Sequence, residues 1–400
     1  MDPQKDAKEP PLSHFSHMQL TLPQQLSQFS NVLQQQLFPL LTPAVGPISD
    51  RAALFIAVCA MVPLRSLLPQ GRWPGRPSKD RLAIARAFLA KSVYGLAHTR
   101  QLLETLKTDH GLRRLCGWDH VDQLPHESTF SRAFAKFADS QLSTAAHEAL
   151  IRATHSDRLV GHIARDGSAI EARERFVDTK PKKTPKAKGK KKRKKAVFAK
   201  ESAACRAKRE TRIQKQAKLK TVKEMLEGVP TACDIGGKKG NNGCVFWWRG
   251  YKFHLDVADG QIPISALLTA ASVHDSQVAI ALMEMSSKRV TYLYEIMDSA
   301  YDASAIYQAS ADRNHQPIIN PHPRRKSKTQ LPLLVKPQPQ LCPANAERYK
   351  IRTMVERVFG RLKDEFGADK IRVRGNKKVM AHLMFSVLAL TVDQLLRLNT

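Results

Sequence analysis

Residues 346–366, AERYKIRTMVERVFGRLKDEF, set a carboxylate among cations and a phenol. At about 100° per residue, Tyr349, Arg352, Glu356 and Lys363 fall within roughly 60° of one another, with Gly360 beside them. Ile351, Met354, Val355, Val358, Phe359, Leu362 and Phe366 fill the opposite arc. The spacing predicts one amphipathic helix with its apolar side on a core. Its polar arc suits a solvated face with i,i+4 ion pairs as well as a phosphate-handling site. Two more acids could join Glu356. Residues 159–172, LVGHIARDGSAIEA, alternate as a strand leading into Asp166-Gly167-Ser168, and 290–298, VTYLYEIMD, form a strand ending in Asp298. An acid at a strand end followed by glycine can be aimed into a site, and the same residues also make turns. Three carboxylates from separate elements can converge on two divalent cations. Oxygen ligands suit Mg²⁺, and such a pair serves in-line attack on a phosphodiester, activating a water or 3′-hydroxyl and stabilising the leaving oxygen.

The remaining chain must position these groups. Residues 1–50 are rich in Gln, Pro, Leu and Ser, with one or two short helices and a loose start expected. Asp50–Leu68 has the cap and apolar density of a buried helix, and 70–78, QGRWPGRPS, is a linker. Residues 79–155 carry helical periodicity throughout. Within them LPHESTFSRAFAKFAD predicts a helix with Phe130, Phe134 and Phe137 on one side and Arg132 elsewhere, which suits a helix-turn-helix reader of DNA. Residues 245–270 form a hairpin turning at Ala258-Asp259-Gly260. His274-Asp275-Ser276 is expected to cap the helix that follows. A short strand at 317–320, a loop over 321–345, the helix described above and an apolar helix over 379–398 complete the chain.

Charge narrows the partners. The chain has 400 residues, a net charge of +29 and a sequence pI of about 10.1, which points to a polyanion, nucleic acid first. Over 180–220 there are 19 Lys and Arg against 2 acids. The part from 180 to 195 is expected to be a disordered tether and 203–226 a basic helix that grips DNA backbone. The longest apolar run, Ala52–Pro63, is too short for a bilayer, and no signal peptide is expected. Six cysteines without a C-x-x-C pair predict reduced thiols in a cytosolic protein.

Together these residues resemble the DDE transposases of bacterial insertion sequences, in the branch marked by Tyr, two residues, Arg, three residues, Glu, six residues, Lys. Here that is Tyr349-KI-Arg352-TMV-Glu356-RVFGRL-Lys363, joined by Asp166 in RDGSAI and Asp298 in MDSAYD. The resemblance spans about residues 80–398. It implies an α/β, ribonuclease-H-like mixed sheet flanked by helices, preceded by an all-helical DNA-binding region. The expected division is 1–78 as an N-terminal segment, 79–155 as the DNA-binding domain and 156–398 as the catalytic domain, with a basic insertion at 176–240. Asp166, Asp298 and Glu356 would be the catalytic, metal-holding acids for two Mg²⁺ ions, with Mn²⁺ able to substitute. Tyr349, Arg352 and Lys363 would contact phosphates, with Gly360 letting a backbone approach. Arg132 and the run Lys190, Lys191, Lys192, Arg193, Lys194 and Lys195 would add DNA contacts. Some relatives carry a β-rich insertion between the second Asp and Glu. Here only 58 residues separate Asp298 from Glu356, so that insertion is expected to be absent.

The function expected is a transposase that binds terminal inverted repeats of double-stranded DNA, cleaves strands with Mg²⁺ and joins the 3′-hydroxyl to target DNA. It would act as a homodimer on DNA, in the bacterial cytoplasm at the nucleoid, without a membrane. A metal-dependent nuclease on the same core and a non-catalytic DNA-binding protein derived from a transposase are the alternatives.

Overall fold

Polar caps followed by apolar residues at helical spacing build a layer of helices between residues 50 and 155. The structure is a computed structural model that describes residues 48–69, 80–174, 210–240, 243–321 and 342–398. The Gln/Pro-rich start, the 70–78 linker and the run from Lys190 to Lys195 lie outside the described residues. The layer comprises α1 (Asp50–Met61), α2 (Leu64–Leu67), α3 (Arg81–Val93), α4 (Thr99–Thr108), α5 (His110–Cys116), α6 (Glu127–Asp139) and α7 (Leu142–His155). Asp80 caps α3, accepting from the Leu82 and Ala83 amides at 2.8 and 3.3 Å, and Asp109 caps α5 by accepting from Leu112 at 2.8 Å. Phe130, Phe134 and Phe137 are buried as their spacing predicts, packed around Phe88.

A six-stranded sheet follows. Its strands are β1 (Leu159–Glu171), β2 (Asp234–Lys239), β3 (Val245–Ala258), β4 (Ile262–Ala270), β5 (Thr291–Met297) and β6 (Gln316–Ile319). β3 pairs antiparallel with β1 along one edge. Along the other it pairs first with β2, then with β4, the predicted hairpin partner. β5 and β6 extend the sheet from β1 in parallel. Between and after the strands lie α8 (Arg212–Gln216), α9 (Val222–Leu226), α10 (Ala279–Ser287), α11 (Ser304–Ala311), α12 (Pro343–Tyr349), α13 (Thr353–Asp364) and α14 (Asn376–Arg397).

α14 joins the two layers. It is long and apolar enough to cross a membrane by length and composition, yet most of its apolar stretch is buried inside the fold. It packs among α1, α3, α6 and α7 and against β4, and one continuous apolar core runs from Phe55 through Phe385 to the sheet. So the expected boundary near 155 falls between two elements that share a core.

Four local expectations are corrected. Asp166 does not end its strand. β1 runs on to Glu171 because its pairing with β3 continues from Asp166↔Leu255 to Glu171↔Gly250, while β5 stops beside Arg165. The helix over 346–366 is interrupted by a 3₁₀ turn at Lys350–Arg352, where the Thr353 hydroxyl donates to the Lys350 carbonyl at 3.1 Å and tightens the chain. The described part of the basic helix expected over 203–226 is two short helices, α8 and α9. Between them the buried Gln216 amide donates to the carbonyls of Met225 at 2.7 Å and Gln277 at 2.9 Å, folding α8 back onto α10. Residues 234–239, counted in the insertion, belong to the sheet.

Candidate active site

The register of two parallel strands builds the centre of the site. β1 and β5 are aligned through Arg165↔Met297, and the next residue on each is an aspartate, Asp166 and Asp298. Aligned residues on neighbouring parallel strands point to one face, with backbones about 4.8 Å apart. Asp166 Oδ1 accepts from the Gly167 amide at 2.8 Å, and Asp298 Oδ1 accepts from Ala300 at 2.9 Å, capping the turn after β5. Burial pushes the Asp166 carboxyl up to about 6; Asp298 and Asp275 add repulsion, opposed by the Gly167 amide and Arg352. Burial raises Asp298 as well, and Asp275 adds to it against the Ala300 amide and Arg352. The site therefore holds carboxylates that resist being charged together.

α13 packs over this face and brings the predicted helix residues to it. Glu356 lies in its first turn, half exposed, with its carboxylate bonded to the Arg352 guanidinium. The same guanidinium lies 3.4 Å from Asp166 Oδ2. Arg352 thus stands between the two acids, and among the described residues no three His, Cys, Asp or Glu side chains come together as a metal-binding group. The expected three-acid set is brought to one face but not closed. Lys363 Nζ donates to Ser168 Oγ at 2.8 Å, two positions beyond Asp166 on the same side of β1. Tyr349 is half-buried at the break before α13, its hydroxyl bonded to Asn320; burial raises its pKa while Arg352 opposes the shift. Arg132 is exposed on α6 in the helical layer, its Nε bonded to the Ser128 carbonyl at 3.2 Å. A Cβ built on Gly360 meets nothing within 4 Å, so that side of α13 is open.

A fourth acid approaches the site from the opposite side of the sheet. The sequence places Asp275 in a cap, but its carboxylate turns away from α10 toward the sheet. It lies 3.4 Å from Lys252 Nζ and 3.4 Å from Nδ1 of the fully buried His254. His254 donates or accepts through Nε2 with the Thr269 hydroxyl at 2.9 Å, and burial lowers its pKa to about 4, so the ring is neutral. Asp275 also explains Gly167. The glycine is inside β1 opposite His254 and makes no turn. A Cβ there would stand 2.3 Å from Asp275 Oδ1 and 2.9 Å from His254 Nδ1. The signal available in the sequence was the Asp-Gly pair itself, read as a turn when it marks a close approach.

Comparison with known proteins bears on this geometry. No curated protein and no solved structure gives a significant match. A family described as Transposase domain (DUF772) matches residues 58–136, the helical layer. A second family, described as Transposase DDE domain, matches residues 161–392, from the strand that carries Asp166 past the helix that carries Glu356. That stretch is more than half of the 400 residues, and the chain belongs to the Transposase DDE domain family.

Proposed function

We propose that this transposase cleaves and joins DNA strands on the face shared by Asp166, Asp298 and Glu356, with divalent cations as cofactors. The observation that carries the reading is the parallel register that sets Asp166 beside Asp298, inside a family match that also spans Glu356. The strand order β4-β3-β1-β5-β6, three antiparallel strands and then two parallel ones, supports a ribonuclease-H-like core. The spacing of Tyr349, Arg352, Glu356 and Lys363 supports the branch that bears that signature.

The residues fit a divalent cation in their chemistry. Asp166 and Asp298 offer hard oxygens, and their raised pKa values mark two charges that gain from a cation between them. Glu356 completes the set once Arg352 releases it. When bound, two Mg²⁺ ions, or Mn²⁺ in their place, supply nucleophile activation and stabilisation of the leaving oxygen. The chain's own groups do the rest. Arg352 exchanges its carboxylates for a phosphate, and its planar fork suits that role. Lys363 and Tyr349 hold the strand beside the acids. The helices over 80–155 and the basic insertion bind the transposon ends, and two copies pair on DNA, in the bacterial cytoplasm.

The test is strand cleavage of a duplex carrying the terminal repeats that flank the coding sequence, in Mg²⁺. Asp298→Asn and Glu356→Gln are each expected to lose at least about a thousandfold in rate, roughly 4 kcal/mol of transition-state stabilisation. Full activity in either variant overturns the assignment. Supplying pre-cleaved ends with a free 3′-hydroxyl separates joining from simple hydrolysis, since a nuclease leaves them unjoined.

A further inference from the structure

A second cationic feature lies away from the acids, where the helical layer meets the exit of β1. It is a groove of about 990 Å³ between α3, α4, α6, the segment after α13 and the start of α14. Lys91, Arg100, Arg173, Arg372, Arg374 and Lys378 line it, against the two acids Glu104 and Glu127. Among the described residues, Arg100 is the groove cation that a carboxylate answers, Glu104 at 3.5 Å. Lys91 is buried, with 7% of its surface exposed, and has no carboxylate partner among the described residues. Burial, with Lys370 nearby, lowers its pKa to about 8. A buried, unanswered cation at the wall of a groove is a cost that an incoming anion removes.

The local sequence builds this surface deliberately. Residues 371–374, Ile-Arg-Val-Arg, lie outside any helix or strand, with Ile371 buried and Val373 half-buried while Arg372 and Arg374 are exposed. The alternation of burial leaves both arginines outward. The stretch is pinned at both ends. Lys370 Nζ donates to the Gly95 carbonyl at 3.2 Å, and the Gly375 amide donates to Glu174 Oε1 at 2.7 Å, which also accepts from the Tyr251 hydroxyl at 2.7 Å. The arginines therefore stand on a fixed edge beside Arg173, just past the end of β1.

We propose that this groove is a second DNA contact, which holds the phosphate backbone of the duplex whose end lies at Asp166. Charge without stacking surfaces carries the choice of backbone over bases. Of its lining rings, Phe88, Phe134 and His382 are buried at 4%, 6% and 7% exposure, which leaves His98 exposed and no run of platforms for successive unpaired bases. Position carries the choice of the same duplex. From Asp166, β1 continues to Glu171, and Arg173 lies two residues further, at most about 23 Å along the chain. At 3.4 Å per step, that corresponds to about seven base pairs. This spacing rests on the proposed cleavage site at Asp166; the groove's affinity for backbone does not.

The experiment uses the full chain and a fluorescent mixed-sequence duplex of about 20 base pairs, with binding followed by anisotropy as salt is raised. Each phosphate contact contributes about 0.9 to the slope of log affinity against log salt. The double variant Arg372→Ala/Arg374→Ala is expected to lower that slope by about 2. Arg372→Lys/Arg374→Lys is expected to restore it. Arg158→Ala/Lys288→Ala, which removes two exposed charges outside the groove, the helices over 80–155 and the insertion, is expected to leave it unchanged. An unchanged slope in the arginine double variant overturns the proposal, as does an equal loss in the control double variant, or an equal loss on a single strand of the same length. Asp298→Asn keeps the slope if the groove acts independently of the acids. Should Asp298→Asn cleave DNA at the full rate while the arginine variant loses its slope, the cleavage reading fails and the groove stands.

Discussion

Arg165 and Asp166 are neighbours on β1, and the charges around them are handled in opposite ways. Arg165 points to the covered face and is fully buried. It makes a bidentate pair with Asp256 at 2.7 and 2.7 Å and lies 3.7 Å from Glu295. Ser286 donates to Asp256 at 2.6 Å, and Ser310 and Tyr292 donate to Glu295 at 2.6 Å each. Burial alone would raise Glu295, but Arg165, His315, Ser310 and Tyr292 overcome it and leave it at about 2. On the other face Asp166 and Asp298 stand side by side with no bidentate partner among the described residues: burial raises both, Asp275 adds repulsion from the Arg165 side, and Arg352 opposes. One side of the strand is a completed network and the other an incomplete one. Charge closed on itself holds the sheet together, and charge left open is available to a ligand.

Arg165→Met breaks the comparison most severely. It leaves Asp256 and Glu295 buried without their cation, and the expected loss is about 3–5 kcal/mol of unfolding free energy. Urea unfolding at pH 7 measures it. A loss below about 1 kcal/mol would show that the network is not closed around Arg165.

Asp166→Asn works in the opposite direction. The Asp166 carboxyl titrates at about 6 in the fold against a usual 3.8. Its charge is therefore destabilising above about pH 6. Below about pH 4 the group is protonated in both the folded and unfolded states and its contribution vanishes. Asparagine imitates the neutral form, so the variant is expected to be more stable by about 1–3 kcal/mol at pH 8, with the gain fading as pH falls toward 4. Strand cleavage is lost at every pH. Thermal melts across that range read the sign directly; a variant less stable at pH 8 contradicts the open-charge account.

Gly167→Ala tests the close approach between β1 and Asp275. The added methyl meets Asp275 Oδ1 and His254 Nδ1, and His254 is locked by Thr269 on its other side. A loss of about 1–3 kcal/mol is expected, with cleavage reduced because the crowding of Asp275 and His254 shifts β1 beside Asp166. Paired Asp275→Asn and double-variant melts show whether both effects run through that carboxylate.

Much of this arrangement was legible in the chain. Period-two and period-3.6 patterning located β3, β4, β5, β6 and α14 because each buries a regular face. The spacing of Tyr349, Arg352, Glu356 and Lys363 put four polar groups on one side of a helix, and in the fold Arg352 and Lys363 do reach β1. What was not legible depends on neighbours. Asp166 looked like a strand end because the partner that keeps β1 extended, β3, begins some eighty residues later. Asp275 looked like a cap because local preference favours one, while Lys252 and His254 from another strand draw it away. The role of Arg352 as the group between two acids is likewise a tertiary fact that no spacing on α13 contains.

Gly360→Ala gives the smallest expected change and separates fold from function on α13 itself. A glycine inside a helix costs about 1 kcal/mol relative to alanine, and nothing within 4 Å of the added methyl opposes the change. The helix has ordinary φ at this position, since Gly360 is not among the glycines with positive φ. The isolated protein therefore gains about 0.5–1 kcal/mol on substitution, read as a higher midpoint in urea. No contact within the described fold accounts for glycine here. If the open side of α13 is where a DNA backbone lies, the methyl occupies the space that backbone needs. The variant then binds duplex DNA more weakly while melting higher. A variant that is both more stable and undiminished in DNA binding and cleavage would remove α13's open face from the DNA path and leave only the side occupied by Arg352 and Lys363.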